Sequence, residues 1–229
     1  MRILGVADEE CKALWDYFVR GSLDEYDLII SCGDLKPEYL SFLVTMSHAR
    51  LLYVPGNHDD NYIDTPPEGC DNIDGHVVVY NGVRILGLGG SMWYRPGMNQ
   101  YKEKEMQKRV NALKRVVRKL GGVDIIVSHA PVKGYGDLND LAHQGFSAFI
   151  DLIDEFKPMF FLHGHVHLRY NSNIKRIEER ESTKIINVSE RYSFDFPDRE
   201  YNELDKNEII WKTKHKEPRI VFESKKNVL

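Results

Sequence analysis

The chain has 229 residues, a length that fits one large domain or two small ones. Hydrophobic residues make up 42% and charged residues 29%, which is ordinary for a globular protein that needs no disulfide to bury a core. The net charge of −4 provides no positive field that would attract nucleic acid, and no apolar run is long enough to cross a bilayer. We therefore expect neither a nucleic-acid-binding protein nor a membrane protein.

Cysteine usage and the first residues bear on the cellular compartment. Three scattered cysteines form no CxxC pair, which favours a reducing environment and disfavours a zinc ribbon (Cys11, Cys32, Cys70). A strand-like run begins at Ile3 with no apolar leader before it. We therefore expect a cytoplasmic protein.

Strand-like and helix-like segments alternate along the chain, which predicts an α/β sheet with crossover connections. The predicted strands are Arg2–Ala7, Leu28–Ser31, Leu51–Val54, His76–Tyr80, Val83–Leu88, Asp124–Val127, Met159–Leu162 and Lys184–Val188. The predicted helices are Glu9–Arg20, Glu38–Ser47, Glu103–Leu120 and Ser147–Phe156. Apolar residues recur at helical spacing in the basic segment Glu103–Leu120, which favours an amphipathic helix with a solvated face over a nucleic-acid patch.

Two local signals refine this picture. Asn81-Gly82 lies between two strand-like runs and predicts a β-hairpin, so part of the sheet is antiparallel. Charged residues become dense after about Ser189. We predict a single domain over residues 1–229 with a charged peripheral segment from about residue 190, including a peripheral strand at Arg219–Phe222.

Polar side chains that can bind metal follow five of the apolar runs, where open α/β sheets carry their sites. The five blocks are Val6–Glu10, Ser31–Asp34, Pro55–Asp59, Val127–Ala130 and His163–His167. Taken singly, most have an ordinary explanation: Asp34 as a helix cap, Asn57 in an Asx turn, or His163 as a packed residue. His165 and His167 are more telling, because residues i and i+2 of an extended segment point the same way.

The ordered combination of blocks is specific. D-x-E, G-D, G-N-H-D, S-H-A-P and G-H-x-H occur in this order, and the set resembles the calcineurin-like metallophosphoesterase family over roughly residues 1–190. The resemblance implies a four-layer α-β-β-α sandwich of two mixed sheets with flanking helices, and hydrolysis of phosphoric monoesters or diesters. It also implies two divalent metal ions, most often Mn²⁺, with Fe, Mg²⁺ or Zn²⁺ as alternatives.

The resemblance also implies roles for the site residues. Asp34 bridges the two ions, Asp8 and His167 complete the first site, and the second site takes Asn57, His129 and His165. A bridging water, its pKa lowered from about 15.7 toward 7, becomes the hydroxide that attacks phosphorus. The last two residues of the G-N-H-D block have catalytic roles: His58 donates to a phosphoryl or leaving-group oxygen, and Asp59 orients the His58 ring.

Glu10 stands where the family has histidine. As a ligand it lowers the net charge of the dinuclear site from +2 to +1 and favours harder ions such as Mn²⁺ or Mg²⁺ over Zn²⁺. The alternative is a first-turn glutamate that interacts with a helix dipole, and Glu9 could exchange roles with it.

Two loops on the predicted active-site side carry candidate substrate residues. Arg95 could pair with a phosphate and His143 could line the pocket, with a surface ion pair and a helix-start histidine as the alternatives. The expected partner is a small phosphorylated molecule. The competing functions are a catalytically impaired scaffold of the same fold, which the changed first block permits, and a single-metal structural site, which would leave most donors unused.

Overall fold

In the computed structural model, residues 1–170, 173–197 and 211–212 are described. The strands are β1 (Arg2–Val6), β2 (Leu28–Ser31), β3 (Arg50–Tyr53), β4 (Asp71–Asn72), β5 (His76–Tyr80), β6 (Val83–Leu88), β7 (Ser91–Met92), β8 (Gln100–Tyr101), β9 (Ile125–Ser128), β10 (Phe160–His163), β11 (Ile177–Arg180), β12 (Thr183–Asn187), β13 (Tyr192–Asp195) and β14 (Trp211–Lys212). The α-helices are α1 (Pro37–Met46), α2 (Glu103–Lys119) and α3 (Ser147–Phe156). Short 3₁₀ turns lie at Lys12–Leu14, Asp60–Ile63 and Leu168–Tyr170.

Two mixed sheets form the centre of the fold. The first has the strand order β13-β1-β2-β3-β4, and only β13 runs antiparallel to its neighbour. The second has the order β11-β12-β10-β9-β6-β5-β14, with a parallel centre from β12 to β6 and antiparallel strands on both sides. Between the sheets lies a buried apolar layer in which Leu28 and Ile30 of one sheet join Ile85, Ile125 and Leu162 of the other.

Each sheet buries its outer face as well. On the second sheet, α2 and α3 cover the outer face; the buried stripe of α2 is Met106, Val110, Leu113 and Val117. On the first sheet, α1 covers the outer face with Tyr39, Leu40 and Leu43. Three apolar layers therefore separate four layers of secondary structure, which confirms the predicted α-β-β-α sandwich. The buried stripe of α2 also confirms that the basic segment is an amphipathic helix. No described helix has the length and apolarity needed to cross a membrane.

The predicted helix Glu9–Arg20 is wrong. The segment has one 3₁₀ turn, Lys12–Leu14, followed by irregular turns. Its apolar side chains have packing partners without a helix: Trp15 packs edge-on against Tyr39 and Phe42 of α1. Aromatic and β-branched side chains, which are frequent in this segment, also lose side-chain freedom in a helix. A first-turn glutamate facing an α-helix dipole is therefore excluded for Glu10.

Other predictions agree with the structure to within one residue. The hairpin forms as predicted, with Asn81 in the left-handed region (φ 46°) between β5 and β6. Strands β4, β7, β8, β11, β13 and β14 were not predicted, and β13 is the edge strand beside β1. The predicted strand Arg219–Phe222 lies outside the described residues.

Candidate metal centre

Five strand ends bring the predicted blocks to one edge of the sandwich. Asp8, Asp34 and Asn57 follow β1, β2 and β3 of the first sheet, whose parallel register places their carboxyl ends together. From the second sheet, His129 follows β9, and His165 and His167 follow β10. The candidate site therefore spans the carboxyl ends of both sheets, as the sequence predicts.

Tight backbone turns aim these side chains. Asp8, Asp34 and His165 all have positive φ values, 66°, 57° and 68°, which are uncommon for residues with a side chain and cluster at functional sites. Glycine is required beside them: a methyl group on Gly56 would collide with the Asp34 carboxylate, and one on Gly164 would collide with Ala7 and Asp8. The glycines of the G-N-H-D and G-H-x-H blocks thus allow the backbone to approach the carboxylates closely.

His129 lies at the centre of a converging set of polar atoms. Its Nε2 is 3.0 Å from Asn57 Oδ1, 3.0 Å from His165 Nδ1 and 3.2 Å from Asp34 Oδ2. We call Asp34, Asn57, His129 and His165 the inner cluster. Within it, ligand atoms of Asp34, His129 and His165 all lie within 4.8 Å of one another.

Backbone carbonyls fix the proton positions in the inner cluster. His129 Nδ1 donates to Cys32 O at 2.7 Å, and His165 Nε2 donates to Ala142 O at 2.7 Å. The opposite ring nitrogens, His129 Nε2 and His165 Nδ1, are therefore the ones that face the cluster, where oxygen acceptors from Asp34 and Asn57 also point. Lone pairs so close together require a positive charge, which a metal ion or a proton on His129 can provide.

The electrostatics follow from this convergence. Burial alone lowers the pKa of His129, but the carboxylates of Asp34 and Asp8 outweigh burial and raise it to about 9. Burial and the nearby His129 lower the pKa of His165 to about 3, so His165 is a neutral donor of a lone pair. Burial alone raises the pKa of Asp34, but His129 overcomes it and holds that pKa well below its usual range.

The residues predicted for the first metal site differ from one another in their contacts. Asp8 Oδ1 accepts from the backbone N–H of His165 at 2.7 Å, whereas its Oδ2 is buried with no hydrogen-bond partner among the described residues. An orphaned buried carboxylate oxygen fits a metal ligand. The structure places Glu9 beside His167 (Glu9 Oε1 to His167 Nδ1, 2.5 Å) and Glu10 beside Lys36 (3.6 Å). We call Asp8, Glu9 and His167 the outer cluster; the ligand role of Glu10 stays a prediction.

The two predicted catalytic residues have different surroundings. His58 is exposed, and its Nδ1 accepts from Arg95 Nη2 at 3.1 Å, so a neutral His58 carries its proton on Nε2. Asp59 is buried, and its Oδ2 accepts the backbone N–H groups of Gly56 (2.7 Å) and Asp34 (2.8 Å). Burial and the charge of Asp34 raise the pKa of Asp59 to about 7. These contacts make Asp59 a clamp on the ligand loops, and Arg95 the residue in contact with the His58 ring.

The candidate substrate residues lie at the rim of the site. The Arg95 guanidinium is 5.4 Å from the centre of the Tyr94 ring, and the Tyr94 hydroxyl accepts from Asn57 Nδ2 at 3.2 Å. The ring of His143 lies 5.2 Å from that of His165, and its Nδ1 contacts Asp140 Oδ1 at 2.8 Å. Both predicted residues therefore lie at the edge that carries the candidate metal centre.

Four further residues support the site through contacts with its predicted members or with one another. Tyr94 contacts Asn57, Asp140 contacts His143, Glu9 contacts His167, and Arg169 contacts Glu9. None of these contacts can be predicted from the sequence, although Glu9 is an alternative there to Glu10. Their signal in the sequence is proximity: Glu9 and Arg169 lie in or beside metal-binding blocks, and Tyr94 and Asp140 lie beside the candidate substrate residues. By contrast, His163 is buried and packed as expected, and burial lowers its pKa to about 4.

Comparisons with known proteins agree with this architecture. One solved structure superimposes with a TM-score of 0.61 at 14% identity, covering 93% of this chain and 99% of the other. TT1561 of Thermus thermophilus matches with a TM-score of 0.52 at 15% identity, covering 82% and 88%. GAP50, the anchor in the inner membrane complex of Plasmodium, matches with a TM-score of 0.51 at 12% identity, covering 82% and 71%. At these identities the likeness concerns the fold.

Among curated proteins, none matches the sequence significantly. The model of the calcineurin-like phosphoesterase superfamily domain matches residues 1–190, which include every metal-binding block described above. The chain therefore belongs to the calcineurin-like phosphoesterase superfamily.

Proposed function

We propose that this protein hydrolyses phosphoric esters with the help of two divalent metal ions, with Mn²⁺ the favoured ion. The observation that carries the proposal is the convergence of acceptor atoms around His129 Nε2, together with the orphaned oxygen of Asp8. Nitrogen and oxygen donors without thiolate suit Mn²⁺, Fe or Zn²⁺. The substrate is a small phosphorylated molecule.

The chain's own residues define how the ions would be held. Asp34, Asn57, His129 and His165 would hold one ion, and Asp8, Asp34 and His167 would hold the other. When bound, such a pair supplies positive charge to the phosphoryl group and makes water a stronger nucleophile near neutral pH. The protein fixes the ligands in advance through the tight turns at Asp8, Asp34 and His165.

His58 can act as a general acid in its doubly protonated form. In the structure its exposed ring accepts from Arg95 at Nδ1. When the Arg95 guanidinium turns to a phosphate oxygen, Nδ1 would bind a second proton, and the imidazolium would give its Nε2 proton to the departing oxygen and become neutral. Arg95 also brings a permanent positive charge to the rim, where a phosphate oxygen can accept from the same guanidinium. Together they would bind and protonate the ester on the side of Asn57.

The experiment that tests the proposal measures metal and turnover in one sample. Purified protein is analysed for bound metal, and hydrolysis of p-nitrophenyl phosphate and bis-p-nitrophenyl phosphate is followed with and without Mn²⁺. We expect near two ions per chain and Mn²⁺-dependent turnover, and the preferred ester distinguishes monoesterase from diesterase activity. Asp151→Asn, which removes an exposed carboxylate on α3, is the matched control for ligand variants.

The alternative is a catalytically impaired scaffold of the same fold. It is favoured by Glu10, which contacts Lys36 where the family supplies a histidine ligand. A scaffold has no need for a general acid, however, and the His58–Arg95 contact is intact. Absence of metal and of turnover after reconstitution with Mn²⁺ would establish the scaffold and reject the enzyme.

A further inference from the structure

The outer cluster contains a carboxylate that no block of the family pattern assigns. Glu9 lies between two side chains: its Oε1 is 2.5 Å from His167 Nδ1 and its Oε2 is 2.8 Å from Arg169 Nη1. The contact joins residues that are 158 positions apart, so it depends on the fold and not on local sequence. A carboxylate in this position controls which nitrogen of the imidazole carries the proton.

The backbone explains why Glu9 and not Glu10 reaches His167. The left-handed conformation of Asp8 reverses the chain directly after β1, and the Glu9 N–H returns to Ala7 O at 2.7 Å. This turn sends Glu9 toward the end of β10, while Glu10 lies beside Lys36. The second residue after Asp8 is therefore turned toward a lysine.

His167 is held on its other side by an aromatic ring. Tyr170 closes the 3₁₀ turn Leu168–Tyr170 with its N–H on His167 O at 3.0 Å, and its ring centre is 4.7 Å from that of His167. The same turn carries Arg169, which contacts Glu9. One face of the imidazole and its Nδ1 are thus occupied, and Nε2 is the nitrogen left for a metal ion.

We propose that Glu9 is a positioning residue that holds His167 in the Nδ1–H tautomer, with Arg169 anchoring the Glu9 carboxylate. The bare Nε2 of His167 then serves as the ligand of the outer ion. This carboxylate–histidine arrangement orients a metal-binding imidazole and makes it a better donor. The inference rests on the proposed metal-binding function, but its first test does not need metal.

The first test reads the tautomer of His167 in metal-free protein. Long-range ¹H–¹⁵N correlation spectra at about pH 8, where an ordinary histidine is neutral, distinguish Nδ1–H from Nε2–H. His167→Gln identifies the signal of His167. We expect the Nδ1–H form in the unmodified protein, exchange between both forms in Glu9→Ala, and recovery of Nδ1–H in Glu9→Gln, whose amide oxygen still accepts. An Nε2–H form in the unmodified protein, or an unchanged tautomer in Glu9→Ala, overturns the proposal.

The second test measures metal affinity by titration calorimetry with Mn²⁺. Loss of such a supporting partner lowers metal affinity by about 10–100-fold, so Glu9→Ala should weaken one of the two binding events by that factor and leave the other unchanged. Arg169→Ala, which removes an exposed guanidinium, should change affinity by at most about five-fold. Glu38→Ala removes an exposed carboxylate on α1 and is the matched charge control.

The outcomes separate this inference from the proposed function. If the unmodified protein binds no Mn²⁺, the enzyme proposal fails while the tautomer still decides the role of Glu9. If Glu9→Ala weakens Mn²⁺ binding without changing the tautomer, Glu9 acts as a direct ligand and the positioning role is rejected. If Glu10→Ala weakens binding more than Glu9→Ala, the assignment of Glu9 is wrong.

Discussion

The inner and outer clusters of the site are fixed by different means. In the inner cluster Asn57, His129 and His165 are 2%, 0% and 7% exposed, and backbone carbonyls hold both imidazoles. In the outer cluster the side chains of His167 and Glu9 are 20% and 31% exposed, and the hydrogen-bond partner of His167 is a carboxylate instead of a backbone carbonyl. Solvent screens partly exposed charges more than it screens buried ones. With two ions bound as proposed, we therefore expect an ion in the inner cluster to be held more tightly and an ion in the outer cluster to exchange more readily.

The largest combined effect, on metal content and on activity, is expected from His129→Ala, which removes the centre of the inner cluster. Loss of an ion that supplies about 4 kcal/mol of transition-state stabilisation corresponds to a fall of about 10³-fold in kcat/KM. Metal analysis should show one ion per chain instead of two. His48→Ala, an exposed histidine outside the site, is the control. Two tightly bound ions in His129→Ala would remove the distinction between the clusters.

His58→Ala tests the chemistry beside the inner cluster without changing its ligands. Loss of a general acid lowers kcat by about 10²–10⁴-fold for an alkyl phosphate, whose leaving oxygen needs a proton. The loss should be much smaller for p-nitrophenyl phosphate, because p-nitrophenolate leaves without one. Bound metal should not change. An equal loss for both leaving groups would argue against His58 as the acid.

Asp59→Ala tests whether the buried carboxylate is a clamp on the inner cluster. The backbone N–H groups of Gly56 and Asp34 would both lose their acceptor, at about 1–3 kcal/mol for each unsatisfied group. We expect the free energy of unfolding, measured with urea, to fall by at least about 2 kcal/mol. His58→Ala, at an exposed neighbour, should stay within about 0.5 kcal/mol. A stable Asp59→Ala with an altered leaving-group dependence would instead favour the orienting role that the family resemblance implies.

The same contrast separates what the sequence predicts from what it does not. The apolar runs, the helical spacing of α2 and the Asn81-Gly82 pair are local signals, and the elements that they predict are observed. The inner cluster is predictable because each of its residues follows a strand in a recognisable block. The contact of Glu9 with His167 depends on one left-handed residue, Asp8, and on a turn 158 positions away. The failure of Glu9–Arg20 as a helix has the same origin, because packing of Trp15 onto α1 decides its conformation.

The smallest effect is expected at Glu10. Its contact with Lys36 spans 3.6 Å, and the lysine side chain is 71% exposed, so the pair contributes at most about 1 kcal/mol. Glu10→Ala should therefore leave Mn²⁺ affinity within about two-fold and unfolding within about 1 kcal/mol. Glu10→His restores the residue type of the family at this position, and it should leave metal preference and the pH dependence of kcat unchanged because the side chain points toward Lys36.

Calorimetry with Mn²⁺ and Zn²⁺ on Glu10→His and Glu9→Ala, measured side by side, gives the sharpest form of this comparison. A shift of preference toward Zn²⁺ in Glu10→His alone would show that position 10 reaches the outer ion, as the sequence first suggests. Weakened Mn²⁺ binding in Glu9→Ala alone would show that residue 9 supports the outer ion in this chain, whereas the family pattern uses position 10. The outer cluster would then differ from the family pattern in how its histidine is held, while the inner cluster keeps that pattern.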